Sequence, residues 1–175
     1  PGEVLLTTGI HGLSKLGFQI RTNQINIEDF NLSEELIANS MNAFCRPTPK
    51  YEIFKTILKS SELFKKREIG CTDSSDGFYQ AILDLCQESK CKAVIDYQKI
   101  PKKDSWPKGQ IWDQFYFFGG EDYELLISLP KDWARKLIQI NKEITEIGYF
   151  SQGSSDVEIK NYPNKNLDNV SYTHF

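Results

Sequence analysis

Short apolar, β-branched runs recur along this chain, but helical stretches do not alternate with them one for one. Val4-Leu5-Leu6-Thr7-Thr8 reads as a buried strand stopped by Gly9. Ile69 to Thr72, Lys92 to Asp96, Tyr123 to Ser128, Glu146 to Phe150 and Val157 to Lys160 read as further strands. Apolar residues at helical spacing predict helices from His11 to Arg21, Ser33 to Phe44, Tyr51 to Leu58, Gly77 to Ser89 and Lys131 to Asn141. Ser33 can cap its helix, and Glu34 and Glu35 suit the positive end of the helix dipole. Pro47 and Pro49 end it. Gly17, inside the first helix, weakens it by about 1 kcal/mol relative to Ala. The stretches Asn23 to Asn31 and Lys99 to Gly109 read as loops. Without strict β-α-β order, the pattern predicts an α+β fold, with helices packed on a sheet.

A length of 175 residues suits one domain, spanning 1–175. Such a chain buries roughly 70% of the surface its unfolded form exposes, so it needs no staples. No apolar run approaches the ~18 residues of a membrane helix, so no membrane partner is expected. With 21 Lys+Arg against 24 Asp+Glu the net charge is −3, which argues against nucleic acid as a partner despite the local basic patch Lys65-Lys66-Arg67. Cys45, Cys71, Cys86 and Cys91 are too few and scattered for a disulfide scaffold; free thiols in a cytoplasmic protein are expected. A zinc site would need both His11 and His174 or several thiols, and Cys86-x4-Cys91 has no second pair like it. A Ser-His-Asp hydrolase fits poorly, since no G-x-S-x-G elbow occurs. The opening Pro1-Gly2 turn, with no initiator Met and no signal-peptide pattern, reads as a domain boundary and suggests a piece of a longer protein.

Three segments could carry chemistry. Gly9-Ile10-His11-Gly12 lies between a strand and a helix, where backbone amides at Gly9 and Gly12 could cradle a phosphate, although its spacing matches neither standard phosphate motif. The alternative is a plain glycine turn. Asp73-Ser74-Ser75-Asp76-Gly77 sets two carboxylates three residues apart at a strand end, a donor set that suits Mg²⁺. Helix capping by Ser75 or Asp76 is the other reading. Gly119-Gly120-Glu121-Asp122-Tyr123-Glu124 lets the backbone approach a ligand and follows with three carboxylates; an acidic solvated turn is its alternative. If the strand starts at Tyr123, Tyr123 and Leu125 share one face, and Glu124 and Leu126 the other.

In order, these segments resemble the C-terminal half of the thiamine-monophosphate kinase family. Gly119-Gly120-Glu121-Asp122-Tyr123-Glu124-Leu125-Leu126 is similar to that family's GGEDYELL signature, and Asp73 to Phe78 to its D-[IL]-S-D-G-L motif. Arg46-Pro47-Thr48-Pro49, Ile144-Thr145-Glu146-Ile147-Gly148, Tyr172-Thr173-His174-Phe175 and the opening Pro1 to Gly9 resemble further family segments. The resemblance implies a mixed, largely antiparallel sheet, as in the C-terminal domains of the aminoimidazole-ribonucleotide synthetase superfamily. It implies transfer of the γ-phosphoryl of ATP to thiamine monophosphate. By the match, Asp73 and Asp76 hold Mg²⁺ and Ser75 contacts ATP. Glu121 binds the substrate, and Tyr172 packs on its ring. The family's N-terminal half supplies most of the metal-binding aspartates and forms the homodimer. No segment here matches it, so the resemblance implies that these residues alone are inactive. Three departures stand out: the small pair after Ser14 is replaced, Ser171 stands where the tail has Gly, and Ala81 where the helix usually has Asp. They motivate two alternatives, a non-catalytic ligand-binding domain of the same fold or a superfamily enzyme with another substrate.

Overall fold

A computed structural model of the chain describes residues 1–61 and 68–163. Among them, six strands form one sheet: β1 (Val4–Thr8), β2 (Gly70–Asp73), β3 (Lys92–Asp96), β4 (Leu125–Leu129), β5 (Ile144–Ser151) and β6 (Val157–Lys160). Their spatial order is β2-β4-β1-β5-β3-β6. Four neighbouring pairs are antiparallel, and only β3 with β6 is parallel. The α+β class and the mixed, largely antiparallel sheet expected from sequence are both present.

The helices are α1 (Leu13–Arg21), α2 (Ile27–Phe30), α3 (Glu34–Cys45), α4 (Tyr51–Ser61), α5 (Phe78–Ser89), α6 (Gln110–Phe118) and α7 (Lys131–Ile140). Strand alternation sorts side chains to the two faces of the sheet. Leu5 and Leu126 join a core with Leu16 of α1, Leu36 of α3, Phe78 and Ile82 of α5 and Phe117 of α6. Their neighbours Leu6 and Ile127 face the opposite way and meet Ile53 and Ile57 of α4 and Trp133 and Leu137 of α7. Each fully buried side chain of this size contributes about 1.5–3 kcal/mol. The Trp133 indole N–H also donates to Ser60 Oγ at 2.6 Å, tying α7 to the end of α4.

Several expectations need correction. The first helix starts at Leu13 rather than His11. Its Gly17 is there for packing: a Cβ at that position would lie 2.1 Å from the Ser40 carbonyl of α3, so only glycine lets the two helices cross this closely. Within the expected loop at Asn23 to Asn31, the Asn26 side chain accepts from the Glu28 amide and opens the short α2. The helix α6 was not anticipated, because Trp112, Tyr116 and Phe117 are all buried and its aromatic run shows little polar face. Strand β4 begins at Leu125, two residues late, since Glu121 (φ 65°) and Tyr123 (φ 53°) are left-handed and break the alternation assumed from Tyr123.

Cys86 and Cys91 are buried free thiols at the end of α5. There Lys90 turns left-handed (φ 48°), the Cys91 amide donates to the Cys86 carbonyl at 3.0 Å, and the Lys90 amide to the Gln87 carbonyl at 3.3 Å. That is a Schellman cap, in which an apolar contact between these two positions is usual. The Cys86-x4-Cys91 spacing serves helix termination, and both thiols are free as expected.

Candidate functional site

The three segments singled out in the sequence meet at one end of neighbouring strands β2, β4 and β1. Two hydrogen bonds join the Asp73–Gly77 loop to the acidic segment reciprocally. The Ser74 amide donates to the Glu124 carbonyl at 2.9 Å, and the Glu124 amide donates to Ser74 Oγ at 3.2 Å. A third runs from the Glu121 amide to the Ser75 carbonyl at 2.8 Å. Within the loop, the Ser75 amide donates to Asp73 Oδ1 at 2.8 Å, the tight turn that short acidic side chains favour. Asp73 and Asp76 are exposed, Ser75 and Glu121 half-buried. Tyr172 lies outside the described residues.

The acidic segment also reaches the glycine turn. The Gly12 and Ser14 amides donate to the two carboxylate oxygens of Asp122 at 2.6 and 2.9 Å. Asp122 thereby caps α1 from 110 residues away and satisfies donors that the helix leaves free. The Gly9 amide donates to the Glu143 carbonyl at 3.1 Å. Both amides considered for a phosphate, at Gly9 and Gly12, therefore have acceptors inside the protein. The protein atoms packed around the Asp122 carboxyl push it up to about 7, despite the opposing pull of the Ser14 and Gly12 amides.

Glu124 lies deeper, 8% exposed. Thr8 donates its hydroxyl to Glu124 Oε2 at 2.5 Å and accepts from the Leu125 amide at 2.8 Å. Lys50 reaches Glu124 at 3.4 Å and Glu143 at 2.9 Å. Burial raises the Glu124 carboxyl, more than Thr8 and Lys50 lower it. Burial alone would lower Lys50, but the hydrogen bonds and charges of Glu143 and Glu124 hold its ammonium above the ordinary lysine range. Gly9 (φ 50°) is what admits this carboxylate: a Cβ there would lie 2.1 Å from Glu124 Oε1.

Beneath the site His11 is fully buried, with Nε2 sharing a 2.7 Å hydrogen bond with Thr7 Oγ1 and its ring against Phe78 and Tyr116. Loss of hydration lowers its pKa to about 3, so it is neutral. Sequence reasoning missed the inward roles of Thr8, Lys50, Asp122 and Glu124. Only the position of Thr8 next to Gly9 hinted at one of them.

The three neighbouring carboxylates therefore divide their work. Asp122 and Glu124 are engaged inside the fold, whereas Asp73 and Asp76 are exposed and Ser75 and Glu121 half-buried at its surface. Among the described residues no group of three or more His, Cys, Asp or Glu side chains is arranged to hold a metal ion. Two exposed carboxylates suit a Mg²⁺ that takes its remaining oxygens from phosphates and water.

Residues 1–160 match the family described as AIR synthase related protein, C-terminal domain. A thiamine-monophosphate kinase of Prochlorococcus marinus is 35% identical over 153 residues, 87% of this chain and 46% of that protein. The crystal structure of thiamine-monophosphate kinase from Stenotrophomonas maltophilia is similar with a TM-score of 0.69 at 18% identity, over 91% of this chain and 50% of that one. A structure of AaThiL complexed with AMPPCP and TMP is similar with a TM-score of 0.66 at 22% identity, over 99% of this chain and 52% of that one. The chain spans about half the length of the curated relatives it matches. No described helix is long and apolar enough to cross a membrane.

Proposed function

The chain belongs to the AIR synthase related proteins, as their C-terminal domain, and from that premise we propose that it is the C-terminal part of an ATP-dependent thiamine-monophosphate kinase. The observation that carries this reading is the joining of the Asp73–Gly77 loop to the Gly119–Glu124 segment. Three hydrogen bonds tie the loop that carries Asp73 and Asp76 to the segment that carries Glu121. Phosphoryl transfer needs chiefly positioning and neutralisation of charge. Asp73 and Asp76 would hold Mg²⁺, which when bound neutralises phosphate charge. Ser75 would contact the ATP phosphates. Glu121, held left-handed by its bond to Ser75, would bind the thiamine moiety, with Tyr172 packing on the ring. Asp122 and Glu124 fix the backbone that presents Glu121, and phosphate binding need not depend on the Gly9 and Gly12 amides.

Two carboxylates are a thin donor set for metals that must organise a triphosphate. The chain is therefore inactive alone and works against the N-terminal half of the same protein, in a cytoplasmic homodimer. The test is formation of thiamine diphosphate from thiamine monophosphate and ATP, with this chain alone and with the full-length gene product. Activity only in the full-length protein, with Glu121→Gln weakening thiamine monophosphate binding by calorimetry, is expected. A full-length protein that binds no thiamine monophosphate would overturn the kinase reading. Turnover by the chain alone would overturn its dependence on the other half.

A further inference from the structure

We infer that Ser74 is a positioning residue: its hydroxyl holds the loop carrying Asp73 and Asp76 in register with the segment carrying Glu121. The effect on turnover rests on the kinase reading, while the geometric link stands without it. The regular ladder between β2 and β4 ends at the pair Asp73 and Leu125. One step further, Ser74 faces Glu124. Residues paired in this way across antiparallel strands exchange two backbone bonds, each amide donating to the other residue's carbonyl. One of the two is made: the Ser74 amide donates to the Glu124 carbonyl at 2.9 Å. The return bond is diverted, because the Ser74 carbonyl accepts the Gly77 amide at 3.0 Å and so closes the turn of the Asp73–Gly77 loop. Ser74 Oγ takes its place and accepts the Glu124 amide at 3.2 Å. One residue thus serves both elements. Its carbonyl bends the chain into the loop, and its hydroxyl carries the ladder one pair further, to the mouth of the site.

Ser74 is fully buried and Glu124 nearly so, and a buried amide depends on a protein acceptor. On the other side of β4, the Leu125 amide donates to Thr8 Oγ1 at 2.8 Å. The two amides at the entrance to this strand therefore both end on hydroxyls, one from the β1 side and one from the β2 side. The two hydroxyls differ in what they join. Thr8 is also bonded to the Glu124 carboxylate and stays within the sheet. Ser74 lies in one loop with Asp73, Ser75 and Asp76, and its partner Glu124 lies three residues from Glu121. Ser74 is thus the side chain through which the proposed metal loop holds the proposed substrate segment. An apolar side chain at this position has no oxygen to offer, and the Glu124 amide would lose its acceptor. The segment would then shift against the loop, and the groups proposed to meet the two substrates would shift with it.

The test compares Ser74→Thr, which keeps a hydroxyl, with Ser74→Val, which has nearly the same shape without one. Ser74→Ala, which fits wherever serine fits, decides the matter if the larger pair does not fold. In the ¹⁵N-labelled chain, hydrogen exchange of the Glu124 amide should quicken about tenfold or more in the Val and Ala variants and stay near the parent rate in Thr, with the Ile127 amide, deeper in β4, unchanged. In the full-length protein, kcat for thiamine diphosphate formation is counted per binding-competent site by calorimetry. It should fall about tenfold or more in Val and Ala, while the separate affinities for thiamine monophosphate and for a non-hydrolysable ATP analogue change less than about twofold, because misplaced groups lose rate before they lose binding. An unchanged Glu124 exchange rate in Ser74→Ala, or folded Thr and Val variants that behave alike, would overturn the link. An unchanged kcat, or equal losses of kcat and of both affinities, would overturn the positioning role. A parent full-length protein that makes no thiamine diphosphate would remove the kinase reading and the effect on turnover with it, whereas the exchange measurement tests the link with no substrate present.

Discussion

Replacing Gly9 with alanine should cost this fold about 3 kcal/mol, and most of that cost should vanish when Glu124 is truncated. Two terms make up the figure. Alanine in the left-handed region (φ 50°) costs about 1 kcal/mol. The new methyl would also lie 2.1 Å from Glu124 Oε1 and 2.3 Å from Cδ, so the carboxylate must move. It is hydrogen-bonded to Thr8 and paired with Lys50, and a hydrogen bond to a buried charge is worth about 2 kcal/mol. In a Glu124→Ala background only the backbone term remains, about 1 kcal/mol. The coupling between the two positions is therefore about 2 kcal/mol, within the range that residues in direct contact show. Urea unfolding of the parent, both single variants and the double variant measures it, and equal m-values would show that only stability has changed. An unchanged cost of Gly9→Ala in the Glu124→Ala background would refute the claim that glycine is there to admit this carboxylate.

Other outcomes follow from the same geometry. Asp122 titrates near 7 in the fold against 3.8 ordinarily, so between those values the native state binds the extra proton and stability falls as pH rises; Asp122→Asn should flatten that slope in pH-dependent unfolding. His11 has the opposite sign: neutral in the fold down to about 3 and protonated below 6.5 when unfolded, it removes stability as pH falls through that window, and His11→Gln should make the acid limb shallower. On the proposed kinase reading, Asp73→Asn and Asp76→Asn, at exposed positions, should leave the melting temperature unchanged while each lowers thiamine diphosphate formation by the full-length protein about 100-fold or more. Ser60→Ala strips a hydrogen-bond partner from the buried Trp133 indole and should cost about 1–2 kcal/mol in denaturant unfolding.

Local signals made the strands and most helices readable. Lys92–Asp96 and Val157–Lys160 are β-branched runs with clear turns beside them, and both form as expected. Helix α6 escaped because its period is hidden among aromatics that pack on more than one side. In the site, residue types and spacing pointed to the right three segments. They could not reveal that Asp122 turns away to cap α1, because that bond joins positions 110 residues apart and follows from two left-handed residues flanking it. Ala81, read as a departure, is buried on the core side of α5, where an ionised aspartate would be desolvated.

The place of β1 in the sheet has a consequence for synthesis. It is the earliest strand of this chain, yet it lies between β4 and β5, whose first residues are Leu125 and Ile144. While the ribosome works toward those positions, Val4 to Thr8 has both edges unpaired and an apolar sequence. Such exposure invites wrong strand pairing. The sheet closes around β1 only once β5 (Ile144–Ser151) has been made. Long-range pairing of this kind is slow, so folding yield should depend on what shields β1 in the interval.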